Sequence, residues 1–488
     1  MSSLMKFPPT FSAGRTIALT VSVTAGLVAC STPDTGPTSA ALLQAPALGL
    51  PEVRTSLVMD AWWQSWRDPQ LDALIRQSLQ DNPSMATAQA RVQRMQALAG
   101  VVGAASLPQA TLGADFSRQR YSANGLFPKP IAGSVWSNDT AQLNLGWSPD
   151  VWGQHAAELA SAIGQTRAAQ ADAAVAANAL ASQVAHAYVV LARWMAQLAV
   201  AERMQQQRQA VQQIVVQRRE AGLDTQLDQA QSDSSLSDAQ AQVEGLKEQV
   251  ALTRHQLAAL SAQPPHALDG LSPQLSALEL EVLPARVGAD LLGRRPDVVA
   301  ALWRVEAAQQ DVKQARTQFY PNINLSAFVG FNALGLNQLL DSGSRQYGVT
   351  PALRLPLFDG GRLRAQLSGR QAEREMAIAQ YNSTVLEAVK ETTDAISSSQ
   401  SVDRQYGQQS LALASAERAH ALAQQRYQAG LGNLLAVLSA ESLVLSQRRA
   451  AIDLKARQLD TRVNLMRALG GGWHDTSTPT APIARTGL

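Results

Sequence analysis

The chain has 488 residues, with 41 Lys+Arg against 39 Asp+Glu, a formal net charge of +2 and a single Cys. The near-neutral balance excludes attraction to a polyanion as the main business, so no nucleic-acid partner is expected. One Cys excludes a disulfide framework and a paired-cysteine zinc site.

Lys6 and Arg15 precede an uncharged stretch from Ile17 to Ala29 that ends in Leu27-Val28-Ala29-Cys30. Its 13 residues fit the apolar region of a signal peptide and are too short to span a bilayer. The final four resemble a bacterial lipobox. Residues 1–29 are therefore expected to be a signal peptide, with Cys30 carrying covalent lipid (a diacylglyceryl thioether and an acylated amine) and Ser31 favouring outer-membrane sorting. Each buried CH₂ adds about 0.8 kcal/mol, and more than one acyl chain holds stably. An ordinary secretory signal with an accidental Cys is the plainer alternative. Residues 30–61, rich in Pro, Thr, Ser and Ala as far as Leu57, read as a lipidated tether. Residues 474–488 read as a loose C-terminal tail. No run of 18 apolar residues lies between them.

Trp62, Trp63 and Trp66 come next and are expected to pack a short helix rather than hold a ligand. The chain then repeats. Asn82-Pro83…Leu107-Pro108 aligns with Arg295-Pro296…Tyr320-Pro321 at an offset of 213, and Ala221-Gly222-Leu223 with Ala429-Gly430-Leu431 at 208. A period of this size is too long for a solenoid unit. It reads as two similar halves, 62–265 and 286–473. Each half opens with a helix (Pro83 to Ser106; Pro296 to Phe319) that a proline terminates.

Two strands follow in each half, at about 110–118 and 140–148, then 322–331 and 346–357. They alternate with period two, as Leu112, Ala114 and Phe116 do against Thr111, Gly113 and Asp115. Phe328 interrupts the polar face of the third. Alternation alone fits a soluble sheet on helices and an outer-membrane barrel equally. In a membrane, four strands cannot close a barrel, and an open sheet leaves unpaired backbone groups in lipid. A membrane reading thus requires several chains. The connections of about Arg118 to Asp139 and Asn332 to Gln346 would face the exterior.

The remaining stretches carry coiled-coil spacing. Leu236, Ala239, Val243, Leu246 and Val250 step by three and four, and Leu431, Leu438, Leu445, Ile452, Leu459 and Met466 by seven. His155 to Glu220 contains no Pro. As one helix it would run roughly 100 Å at about 1.5 Å per residue, well beyond a bilayer of about 30 Å. Gly222 and Gly430 fall where each pair of long helices turns.

These features resemble the TolC/OprM family of outer-membrane channels, nearest its NodT-type lipoproteins. The matching residues are Trp62-Trp63…Trp66…Asp68-Pro69, Asn82-Pro83, Leu107-Pro108, Leu292-Gly293-Arg294-Arg295-Pro296-Asp297, Phe319-Tyr320-Pro321, Leu355-Pro356-Leu357-Phe358-Asp359-Gly360-Gly361-Arg362 and Arg426-Tyr427…Ala429-Gly430. The resemblance implies a mainly α chain with a small β part. Three chains would share a twelve-stranded outer-membrane barrel continued by a periplasmic α-barrel of long coiled-coil hairpins. It further implies a Gram-negative outer-membrane location, and partners in a periplasmic adaptor (a membrane fusion protein) and an inner-membrane transporter. The function implied is passive conduction of small molecules outward.

The family's constriction lies just past the second tip glycine. Matching through Gly430, its apolar ring falls on Leu435 and its acidic positions on Ala436 and Ser439, neither of them acidic. The first half offers Asp224 and Asp228 instead. Asp228 reads equally as a cation-attracting ring and as a solvated residue near a helix cap; Leu435 reads also as coiled-coil core. Gly222, Leu223, Gly430 and Leu431 are the expected tips that meet the adaptor. Arg294-Arg295 is expected to pair structurally near the start of its helix. No nucleophile setting, phosphate loop or zinc spacing occurs, so no catalysis, cofactor or metal is expected. The competing readings are a lipid-anchored periplasmic coiled-coil scaffold and the outer component of a type I protein secretion system.

Overall fold

A computed structural model of the chain describes residues 41–44, 48, 61–278, 291–429, 431 and 434–473. The expected signal peptide, Cys30, most of the expected tether, Gly430 and the expected C-terminal tail lie outside the described residues. The elements in order are a 3-10 turn Trp62–Trp66, α1 Pro69–Asp81, α2 Pro83–Ala105, β1 Gln109–Arg120, β2 Val135–Trp147, α3 Gln154–Glu220, α4 Gln226–Leu260, α5 Leu291–Arg294, α6 Pro296–Thr317, β3 Asn322–Ala333, β4 Arg345–Arg354, α7 Arg362–Gln428 and α8 Leu434–Ala468.

The order helix, two strands, 67-residue helix, 35-residue helix occurs in both halves. The opening helices have 23 and 22 residues. The prolines act as expected, at the first turn of α2 and α6, where the missing N–H is unneeded.

Contacts divide the chain into two compact units. One takes in Met95–Thr166 and Arg304–Ala379, hence the strands; the other takes in Leu42–Arg94, Arg167–Trp303 and the chain from Gln380 on. In the first, the four strands form one antiparallel sheet in the order β1-β2-β3-β4. Strand limits differ from the expectation. β1 and β2 pair as far as Arg120 with Val135, which shortens the connection expected over 118–139. β4 stops at Arg354, short of the expected limit at 357. Leu355 and Leu357 are therefore outside the strand.

The core of the second unit gathers the three tryptophans and Leu71, Leu74 and Ile75 of α1 onto Val184, Tyr188 and Leu191 of α3, Leu257 of α4, and Leu459 and Val463 of α8. Burial of each such side chain contributes roughly 1.5–3 kcal/mol. Asp68 ties the segment down. One carboxylate oxygen accepts from the Gln70 and Leu71 N–H groups, capping α1, and the other accepts from the Tyr188 hydroxyl at 2.6 Å. Burial, and then that bond, push the Tyr188 hydroxyl far above its ordinary pKa.

An 18-residue window of α3 is apolar enough by composition to cross a bilayer, but half of it is buried inside the protein. Its apolarity is that of a packed, Ala-rich helix.

Candidate functional site: the two-faced sheet and the hairpin end

Alternation along each strand and the register across the ladders produce two chemically distinct faces. One carries the rows Leu112–Leu143–Val329–Tyr347 and Ala110–Leu145–Ala327–Val349. All but the half-buried Ala327 are exposed although apolar, Leu112 at 81%, Tyr347 at 84% and Val349 at 69%. The opposite face carries amides, hydroxyls and glycines. There Gln346 donates to Gln142 Oε1 at 3.0 Å, Gln142 donates to Asn144 Oδ1 at 2.9 Å, and Asn332 donates to Asn138 and Thr140. β1 and β4 are the sheet's two edges and have no neighbour on their outer sides among the described residues. A bare apolar face beside two open edges is unstable in water and in lipid alike.

The hairpin end is built on helix-terminus chemistry. α3 ends at Glu220, and Gly222 takes φ +73. Its N–H donates to the Arg219 carbonyl at 2.9 Å, and the Leu223 N–H donates to that of Arg218 at 2.8 Å. This pair of bonds is a Schellman stop, which needs the left-handed residue that glycine supplies. α4 begins in a capping box. Thr225 Oγ1 accepts from the Asp228 N–H, and Asp228 Oδ2 accepts from the Thr225 N–H at 2.9 Å and from its hydroxyl. In the second half the Leu431 N–H donates to the Arg426 carbonyl at 2.8 Å, the counterpart of the Leu223–Arg218 bond. Leu223 and Leu431 both stand exposed, at 67% and 77%.

The two acids proposed from sequence differ. Asp224 is mostly buried and takes a bidentate pair from Arg218, at 3.0 and 3.1 Å. Its charge is balanced inside the hairpin. Asp228 is solvent-exposed, and the Thr225 hydroxyl and N–H hold its carboxyl below the usual range. It stays ionised at neutral pH, with no ion pair among the described residues. Asp228, Leu435 and Ser439 line one concavity of about 780 Å³ with Arg208, Val211 and Leu438; Asp224 does not. Leu435 is 68% exposed, so in the single chain it is not seam core.

A cluster missed in the sequence adjoins this concavity. Glu441 of α8 is buried, with Arg208 Nη2 3.7 Å from Oε2 and no hydrogen-bond partner for Oε1. Burial pushes its carboxyl up, partly offset by the Arg208 and His420 charges. The signal was available: Glu441, Arg448, Lys455 and Arg462 recur every seven residues within the α8 heptads.

A raised acid stabilises the fold only while protonated. Its contribution is lost as pH rises from the ordinary carboxylate range through the raised value. Glu441→Gln keeps the side chain neutral throughout. The variant is therefore expected to melt above wild type at pH 7–8, and at the same temperature below about pH 4. Thermal melts across pH check this, and a lower melting point at pH 7 refutes it.

At the start of α6, Arg295 donates to Asp297 at 3.0 and 2.7 Å, to Glu391 at 2.9 Å and to the Ala468 carbonyl at 3.1 Å, almost wholly buried. It thus has the structural role expected of it. No group of three or more metal-ligating side chains comes together among the described residues.

The profile of the outer membrane efflux protein family matches the sequence twice, over residues 74–263 and 287–471. The chain is similar to the multidrug resistance outer membrane protein MdtQ of Escherichia coli O157:H7, 33% identical over 431 residues, covering 84% of this chain and 88% of that one. It is also similar to MdtP of Shigella flexneri, 32% identical over 424 residues, with 84% and 86% covered. Among solved structures it resembles the outer membrane protein VceC of Vibrio cholerae, with TM-score 0.78, 34% identity, and 84% and 98% of the two chains covered. It likewise resembles the outer-membrane channel OprN, with TM-score 0.79, 28% identity, and 91% and 99% covered.

Proposed function

Because this chain belongs to the outer membrane efflux protein family and is an outer-membrane efflux channel, we propose that three copies close their sheets, β1 of one on β4 of the next, into a twelve-stranded barrel. The observation that carries this is the two-faced sheet with open edges: pairing satisfies the edge backbone, turns the apolar face to lipid and leaves the amide face to water. About eight strands is the practical minimum for a membrane barrel, and twelve leave a lumen. The long hairpins continue as an α-barrel in the periplasm.

In this reading the halves 62–265 and 286–473 arose by duplication. The sequence offsets, the double family match and the equal helix lengths support it. The segment 1–29 is cleaved, and residues 30–61 tether the mature chain through lipid on Cys30. Leu223 and Leu431, with Gly222 and Gly430, meet a periplasmic adaptor that joins the channel to an inner-membrane transporter. Conduction is passive, and the cargo is small molecules.

Leu435 and Asp228 narrow the periplasmic end, with Ser439 beside them. Their common concavity supports the grouping. Asp224 contributes no free charge, being held by Arg218. An Asp228 ring would attract cations, as acidic rings do in other pores.

Single-channel recording in planar bilayers tests the assignment. Wild type is expected to show small, flickering currents and Leu435→Ala/Asp228→Ala a large steady conductance. No conductance from either despite confirmed insertion would refute the pore.

A further inference from the structure

The middle of the polar sheet face carries one large apolar side chain. Phe328 sits in the row Thr111–Asn144–Phe328–Gly348, between the rows Gln109–Gly146–Ser326–Thr350 and Gly113–Gln142–Gly330–Gln346. None of these residues is charged. Asp115 and Arg354 are the nearest charges on this face, one toward each end.

The register makes room for the ring. A β-carbon on Gly348 would lie 2.7 Å from Phe328 Cε1, so the ring extends across β4 in space that a side chain there would contest. Phe328 is half-buried there. The amides beside it are largely engaged with one another, through Gln346 to Gln142 and Gln142 to Asn144. The wall around Phe328 therefore offers a passing molecule uncharged amides and hydroxyls, and one aromatic surface.

We propose that Phe328 is a contact site for aromatic, positively charged small molecules in transit; this rests on the reading that the sheet closes with its polar face inward. An aromatic face attracts a cation through its quadrupole and a planar ring by stacking. Such a contact is weak enough to release its guest, which conduction requires. Three symmetry copies would place one at the same depth on each third of the wall.

The bland alternative is that the ring merely covers Gly348, as aromatic residues do for glycines in edge strands. The two are separable, because any apolar side chain can cover a glycine but only an aromatic one offers a π-face. Purified trimers in nanodiscs are titrated with ethidium, read by fluorescence anisotropy, for wild type, Phe328→Ala, Phe328→Leu and Phe328→Tyr. We expect Ala and Leu to weaken binding about three- to tenfold, as loss of a cation–π contact does, and Tyr to retain it. Equal binding by Leu and wild type, or no saturable binding by wild type, overturns the contact. Conductance of the same preparations is measured in parallel. Conductance with binding indifferent to position 328 sinks this inference alone, whereas no conductance sinks the barrel reading beneath it.

Discussion

With three sheets closed as proposed, Gly330→Val is expected to remove the heat-stable trimer from the outer membrane. Gly330 pairs with Gln142 of β2 on one side and Gln346 of β4 on the other. A β-carbon there would meet the Ala141 carbonyl and come within 2.5 Å of Gln142 Cα. Both are backbone atoms, so no rotamer change relieves the clash. Overpacking of this kind costs about 1–3 kcal/mol, and more where the neighbour cannot give. The position matters further because β2–β3 is the ladder that joins the two strand hairpins. Parting it exposes two more strand edges, which lipid does not tolerate. Gly113→Ala is the control: on the same face, its β-carbon meets only the Asn144 side chain, at 4.0 Å. Heat-modifiable migration on gels of outer-membrane fractions reads both. A Gly330→Val band matching wild type would refute the clash.

Arg295→Ala is expected to cost about 3–5 kcal/mol, the usual penalty for breaking a buried ion-pair network from one side. Its guanidinium joins the start of α6 to Glu391 of α7 and the Ala468 carbonyl ending α8. Removing it leaves Asp297 with only the Val298 N–H, Glu391 with Arg467 at 3.8 Å and the Ala468 carbonyl with only the Thr392 hydroxyl at 3.3 Å. Arg295→Lys is expected to fall between, since an ammonium cannot serve the fork on Asp297 and reach both other partners. Tryptophan-fluorescence melts of purified protein give the comparison. A melting point within about 1 °C of wild type for the alanine variant, a shift worth about 1 kcal/mol in a chain of this size, would show the network to be dispensable.

Much of the channel was legible beforehand because it rests on periodicity. Period two along β1 to β4, steps of three and four along α4 and steps of seven along α8 report which side of an element meets water, and that needs no tertiary information. The prolines at 83, 108, 296 and 321 bound their helices by local sterics alone. Strand ends were less legible: nothing local in 118–139 says that β1 and β2 continue pairing to Arg120 and Val135.

What the sequence by itself determined is the kind of each element, its two-sidedness and the repetition of the series. All three follow from local sterics and from the spacing of apolar residues. The tertiary structure decided how charge is distributed. Asp224 and Asp228 are four residues apart and equivalent on paper, yet Arg218 neutralises the first while Thr225 leaves the second charged and open. Glu441 and Arg462 occupy helix positions that spacing reserves for the seam, and their burial depends on Arg208 from α3 and Asp403 from α7. The pairing of β2 with β3 across more than 170 residues, and with it the place of Phe328 over Gly348, likewise exists only once the sheet has formed. Local propensity acts over a few residues, whereas burial and ion pairing act between segments that the chain brings together only on folding.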